Sequence, residues 1–245
     1  MNEQSWIPAQ WPAPSHVVAG ITTRIGGTSQ GDCSSLNLAT HVGDAAESVT
    51  DNRAQLKQFL QLPEEPHWLE QVHGCGVSTD KQMMQQADAS VTNVVGQVCA
   101  VMTADCLPVL ITDQKGLYVA AVHAGWRGLQ QQIILSCIKK IPLVAKSLLV
   151  WLGPAIGPAA FEVGSEVRAQ FLQQNPKFIA SFINSKHKGK WMMDMAGIAR
   201  LQLAAAGVEQ IYGGQFCTYT DATRFYSYRR DSHTGRMASL IWKTE

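Results

Sequence analysis

Residues 98–128 read VCAVMTADCLPVLITDQKGLYVAAVHAGWRG, a stretch in which two strongly apolar runs carry Cys106 and, near the end of the second, His123. Continuous apolar runs of this kind belong to strands inside a layered fold. Upstream, Gln71-Val72-His73-Gly74 sets a second histidine at a similar boundary. Each of the three residues sits where an apolar run gives way to Gly, Pro or a polar residue, which suits a chemical site assembled at strand ends.

The rest of the chain carries the same signals. Strands are expected at residues 16–22, 96–103, 107–112, 117–123 and 148–152, with short ones at 68–72, 208–212, 225–228 and 237–242. Helices are expected at 45–62, 126–140, 164–174 and 193–206, the last ended by Gly207. Residues 31–43 and 186–190 read as loops. No internal repeat, low-complexity segment or Pro/Ser-rich linker divides the chain, so one domain over residues 1–245 is expected. Full apolar runs mix with short segments near turns, and helices fall between several of them. An α+β fold with mixed sheets fits this better than a clean βαβ repeat.

At 46% hydrophobic and 16% charged, the 245 residues can bury a sizeable core. A net charge of +1 gives no electrostatic case for nucleic acid or an anionic membrane, so the expected partner is a small-molecule substrate or else one recognised by shape. The opening MNEQSWIPAQWPAP lacks the basic and apolar regions of a secretion signal, and no apolar stretch approaches a membrane span. Six cysteines without paired spacing read as free thiols in a reducing compartment, and a cytoplasmic location is expected.

A cysteine inside an apolar run is usually a small core residue, the expectation for Cys99 and Cys137. Cys106 follows an aspartate and precedes Leu-Pro, so it lies at a break in the run. His73 adjoins Gly74 and His123 stands between Val122 and Ala124-Gly125, while His16, His41, His67, His187 and His233 lie in polar or turn-like contexts and read as surface residues. Two imidazoles and one thiolate suit a zinc ion with one position left open. Cys106 and His123 equally suit a nucleophile and its base. A zinc-stabilised binding protein is a third possibility, with Cys75 as a fourth ligand. Arg127 in Gly125-Trp126-Arg127-Gly128, Arg24 beside Gly26-Gly27, and Arg229 in Tyr228-Arg229-Arg230-Asp231 are anion-binding candidates. Asp105 is a candidate to orient a zinc-bound histidine or a water. Trp126, Trp151 and Tyr228 are candidates to flank a base, and the GPAIGP segment at 153–158 is stiff enough to line a pocket. Walker, GxGxxG, HExxH, GxSxG and HxE…PCxxC signatures are missing, so no nucleotide cofactor is indicated.

Taken together, WLEQVHG, VMTADCLPVL, AVHAGWRG, WLGPAIGPAAFEVG and FYSYRRD…TGRMASLIW resemble the YfiH/laccase-domain family, also called the multicopper polyphenol oxidase or purine nucleoside phosphorylase family. The resemblance runs over nearly the whole chain. It implies mixed β-sheets sandwiched between helices in α/β/β/α-like layers, and a zinc site formed here by His73, Cys106 and His123. It implies phosphorolysis of adenosine, inosine and S-methyl-5′-thioadenosine, with adenosine deaminase activity. It also implies an alternative, a peptidoglycan-editing amidase that removes misplaced L-serine from a UDP-linked muramyl precursor. Copper, which the family name suggests, fits poorly, because multicopper oxidases need many more histidines than seven scattered ones.

Overall fold

The computed structural model describes residues 1–245. In chain order the strands are β1 (Trp6–Pro8), β2 (Val17–Thr22), β3 (Val77–Thr79), β4 (Ala89–Thr92), β5 (Cys99–Thr103), β6 (Leu107–Asp113), β7 (Val119–Ala124), β8 (Leu148–Leu152), β9 (Glu162–Gly164), β10 (Phe182–Asn184), β11 (Lys190–Met193), β12 (Gln210–Gly213) and β13 (Met237–Lys243). The helices are α1 (Ala46–Leu60), α2 (Trp126–Gln130), α3 (Ile133–Ile138), α4 (Ser165–Gln174), α5 (Met195–Ala205) and α6 (Tyr228–Asp231).

Two sheets carry the architecture. One is antiparallel, in the order β1-β2-β13-β5; the other is mixed, in the order β12-β8-β6-β7-β4-β3, with parallel pairing only at its two outer pairs. The apolar run of β6 shows why they stack. Leu107, Val109 and Ile111 enter a cluster with Ile133 and Ile134 of α3 and Ile198 and Leu203 of α5. Leu110, on the opposite face of the same strand, enters a cluster with Ile21, Val101 and Ile241 of the other sheet. Side chains of a strand alternate between faces, so an unbroken apolar run is stable only where both faces are covered. The second face of the four-stranded sheet is covered in turn by Leu36 and Leu38 of the preceding loop and by Leu56 of α1. Helix, sheet, sheet and helix therefore follow one another, the layered α+β arrangement expected from the sequence.

Three local expectations fail, each for a tertiary reason. Residues 126–140 form two helices, because Gln132 adopts a left-handed φ of 62° between α2 and α3. The carbonyls of Leu129 and Gln130 there accept from the side chains of Gln202 and Gln174 on other helices. Residues 225–228 form no strand: the Phe225 carbonyl accepts from Arg230, and Ser227 caps α6. Residues 68–72 make only an isolated bridge at Glu70. A third sheet, β10-β11-β9, was not foreseen, since its three- and four-residue strands carry too little periodicity to read. No helix is long and apolar enough to cross a membrane.

Candidate metal centre

Strand register builds the centre of the site. β4 and β7 run antiparallel with Ala89 opposite Val122, so continuing the ladder by one residue sets Asp88 beside His123. His123 shares a face with Val119 and Ala121, which look toward the four-stranded sheet. Its backbone N–H donates to the Asp88 carbonyl at 2.7 Å, and its Nδ1 lies 2.8 Å from the Asp88 carboxylate.

Asp88 is fully buried, and a buried carboxylate is tolerable only when donors surround it. Besides His123, it accepts from the backbone N–H groups of His73 at 3.0 Å, Gly74 at 2.6 Å and Val72 at 3.3 Å. Burial pushes its pKa up, but the bonds from His123, Gly74 and His73 outweigh this and hold it below the usual carboxylate value. Gln71 fastens the same loop to the other sheet, donating to the Met102 carbonyl at 2.8 Å and accepting from the Met102 N–H at 2.7 Å. The loop carrying His73 is thus stitched to both sheets, and His73 is held at a φ of 59° that non-glycine residues seldom adopt.

Cys106 arrives from a third direction, in the short crossing from β5 in one sheet to β6 in the other. Asp105 turns that crossing at a φ of 94°. Its carboxylate accepts from the Thr218 hydroxyl and the Arg229 backbone N–H, both at 2.6 Å, and its carbonyl accepts from Ile156 N–H at 2.9 Å. Strained backbone held by so many bonds is characteristic of functional sites.

The outcome is one cluster. The side-chain donors of His73, Cys106 and His123 lie within 4.8 Å of one another, with Cys106 Sγ 3.9 Å from His73 Nε2 and the two rings edge to face at 4.7 Å. Gly125 makes this approach possible, since a Cβ there would come within 2.9 Å of Cys106 Sγ and 3.2 Å of His73 Cδ2. Burial opposes charge on both Cys106 and His123, but each stabilises the ion of the other. The Cys106 thiol is lowered to about 6 by the His123 charge and by hydrogen bonds from both imidazoles. His123 is raised to about 9 by the Cys106 thiolate and by Asp88. A ready thiolate beside two imidazoles, one oriented by a carboxylate, is the donor chemistry of a zinc site and its supporting shell.

The cluster opens into a cavity of about 480 Å³, within the range of small-molecule sites. Arg127, Arg229 and Asp105 line it, as do Trp126, Tyr228 and Ile156 of the GPAIGP segment. Arg24 does not. Its guanidinium donates to the carbonyls of Ser34 and Ala222 and lies over the Tyr226 ring. Asp105 does not serve the histidines; both oxygens are already bonded, and Asp88 holds His123 instead. Cys75 is exposed and outside the donor cluster. Trp151 is a core residue between the sheets. His41, read as a surface residue, stands at the cavity with Gln71 and Arg236, which the sequence did not single out. The sequence signal for Asp88 is a lone carboxylate between alanines at the start of the run ADASVT.

A family model described as multi-copper polyphenol oxidoreductase laccase matches residues 18–244. The chain is 50% identical over 242 residues to an Escherichia coli protein named purine nucleoside phosphorylase YfiH, covering 96% of this chain and 98% of that one. A Pseudomonas aeruginosa protein also named purine nucleoside phosphorylase is 47% identical over 239 residues, covering 97% and 98%. The crystal structure of Neisseria meningitidis protein NMB0706 superimposes with a TM-score of 0.93 at 44% identity, covering 98% of this chain and 100% of that one. YlmD from Geobacillus stearothermophilus superimposes with a TM-score of 0.92 at 30% identity, covering 100% and 98%.

Three outcomes follow from this geometry. Gly125 has φ −64°, which alanine accepts, so Gly125→Ala should fold normally yet weaken metal binding on the order of tenfold or more by displacing Cys106 and His73. Equal metal affinity in a chelator competition would contradict the close packing. Asp88→Asn removes the charge that orients His123, and metal affinity should fall roughly 10- to 100-fold; an unchanged affinity would show the carboxylate to be idle. In metal-free protein, alkylation of Cys106 by iodoacetamide should stay near its maximal rate down to about pH 7 and pass through half-maximal near pH 6, because the lowered pKa keeps the thiolate populated. A rate that declines already from pH 9 downward would mean that the imidazoles do not stabilise the thiolate.

Proposed function

The chain belongs to the multi-copper polyphenol oxidoreductase laccase family, and from that membership we propose that it is a zinc-dependent purine nucleoside phosphorylase. Its substrates are adenosine, inosine and S-methyl-5′-thioadenosine with inorganic phosphate, and it also deaminates adenosine. The observation that carries this reading is the convergence of His73, Cys106 and His123 on one point at the side of a cavity large enough for a nucleoside. The names borne by relatives at 47% and 50% identity support the choice of substrate.

The donor set fits zinc. One thiolate and two imidazoles are borderline-soft ligands, and Asp88 takes the Nδ1–H of His123, which leaves Nε2 for a metal. Multicopper chemistry needs several histidine-rich centres, whereas His, Cys and acidic side chains form a single ligand group here. Zinc, when bound, supplies Lewis acidity beside the cavity. The remaining work falls to the chain's own residues. Phosphorolysis joins a phosphate oxygen to the C1′ of the ribose as the glycosidic C–N bond breaks and the purine leaves. Phosphate is a dianion, and the arginines that line the cavity, Arg127, Arg229 and Arg236, give it a positive field to enter. Trp126 and Tyr228 offer aromatic faces to the purine. Enclosure by Phe161, Ile156 and Met195 limits the water that would compete with phosphate.

The lowered pKa of Cys106 and the raised pKa of His123 favour one rival, a hydrolase in which Cys106 attacks and His123 is the base. That scheme leaves His73 without a role. The two readings part on metal and phosphate. Zinc-replete protein should release hypoxanthine from inosine only when phosphate is present, and Cys106→Ala should lose both zinc and activity. Full turnover after chelation, or full turnover with stoichiometric zinc in Cys106→Ala, would end the zinc reading.

A further inference from the structure

Three arginines line the cavity, Arg127, Arg229 and Arg236, and none has a carboxylate within ion-pair distance. The ion-paired arginines, Arg224 and Arg230, line no part of it. Each cavity arginine faces an aromatic ring instead: Arg127 over Trp126 at 4.5 Å, Arg229 over Phe161 at 5.1 Å, and Arg236 over Tyr228 at 5.9 Å. A ring face steadies a guanidinium without neutralising it. Arg229 Nη1 also donates to the Glu162 carbonyl at 3.1 Å and the Ala160 carbonyl at 3.5 Å, which leaves its Nε and Nη2 for an anion. Asp105, the one carboxylate among the lining residues, is already bonded to Thr218 and to the Arg229 backbone.

Arg236 has the most rigid support. Its backbone N–H donates at 2.9 Å to Asn37, a fully buried side chain that also bonds both backbone groups of Ala39. The preceding Gly235 lies against Tyr226, where a Cβ would come within 2.7 Å of the ring, so the chain has no room to shift. Only Nη1 of the guanidinium is bonded within the chain, to the carbonyls of Thr234 at 2.7 Å and Gly235 at 3.0 Å. Nε and Nη2 have no protein partner. Burial lowers its pKa, although Cys106 and Asp105 act in the opposite direction, as expected of a cation removed from water without a paired counter-ion.

We infer that Arg236, together with Arg229, forms the subsite for the inorganic phosphate dianion, and that Arg236 sets the enzyme's preference for phosphate over water as nucleophile. Tyr228, which Arg236 faces, is the chain neighbour of Arg229, and both arginines line the same cavity. Two guanidinium forks match the several acceptor oxygens of phosphate, and charge-assisted bonds of this kind are the strong ones. The consequence for turnover rests on the phosphorolysis proposed above; anion binding at this subsite does not.

The test uses zinc-replete full-length protein with inosine and inorganic phosphate, comparing wild type with Arg236→Gln, Arg236→Lys and Arg24→Gln. Arg236→Gln should raise the KM for phosphate roughly 10- to 100-fold, the loss expected for a charge-assisted pair, with the KM for inosine within about twofold. Arg236→Lys should recover part of the loss, and Arg24→Gln should match wild type. A phosphate KM unchanged in Arg236→Gln, or in Arg236→Lys if the former does not fold, overturns the assignment. Should wild type fail to cleave inosine with phosphate, the phosphorylase reading falls by itself. Thermal shifts on adding inorganic phosphate or inosine 5′-monophosphate then decide the subsite. Stabilisation of wild type by inorganic phosphate that disappears in Arg236→Gln supports it. Stabilisation equal in both proteins, absent from both, or given only by the nucleotide overturns it.

Discussion

The carboxylate of Asp88 is the joint on which the site turns. A buried charge of this kind is costly unless every lone pair is met, and here three consecutive backbone N–H groups and one imidazole meet it. Those four donors belong to two segments far apart in sequence. One side chain therefore fixes the tautomer of His123 and the path of the loop carrying His73. Without it, two imidazoles would be brought near Cys106 with nothing to aim them.

Around that joint, the stacking of two sheets explains why the donors come from three directions. β7 delivers His123 from the central sheet, the crossing from β5 to β6 delivers Cys106 between the sheets, and Gln71 and Asp88 suspend the His73 loop across both. The backbone at His73 and Asp105 is held in the left-handed region, and Gly125 leaves no room for a side chain beside the sulfur. Each feature costs local stability and is held by hydrogen bonds or packing. Preorganisation of this sort keeps ligands in place without relying on the metal to gather them.

The cavity differs from the rest of the molecule in what its arginines are left to face. Outside it, Arg224 and Arg230 pair with acids, and Arg24 and Arg53 rest on a ring while giving their guanidinium groups to carbonyls. Inside it, Arg127, Arg229 and Arg236 lie against aromatic rings with no paired acid, and the single carboxylate is already bonded. Positive charge that the chain could have neutralised is left facing the space where a substrate sits, which favours an anion there.

Much of this was readable beforehand. The unbroken apolar runs of β6 and β7 require cover on both faces, so they disclosed a layered fold without naming its sheets. His73 beside Gly74, His123 at the end of an apolar run ahead of Gly125, and a cysteine at a break between two runs mark the three donors by local chemistry alone. Other features escaped for lack of local signal: the three short strands of the third sheet, the break at Gln132, and the distance of Arg24 from the cavity. Residue chemistry and short-range period are local properties, and they suffice to mark which side chains are able to bind a metal and which segments must be buried. That Asp88 rather than Asp105 steadies His123, and that Arg236 rather than Arg24 faces the cavity, is set in the packed fold. Those choices depend on strand register and on how one sheet lies over another, and no run of neighbouring residues encodes either.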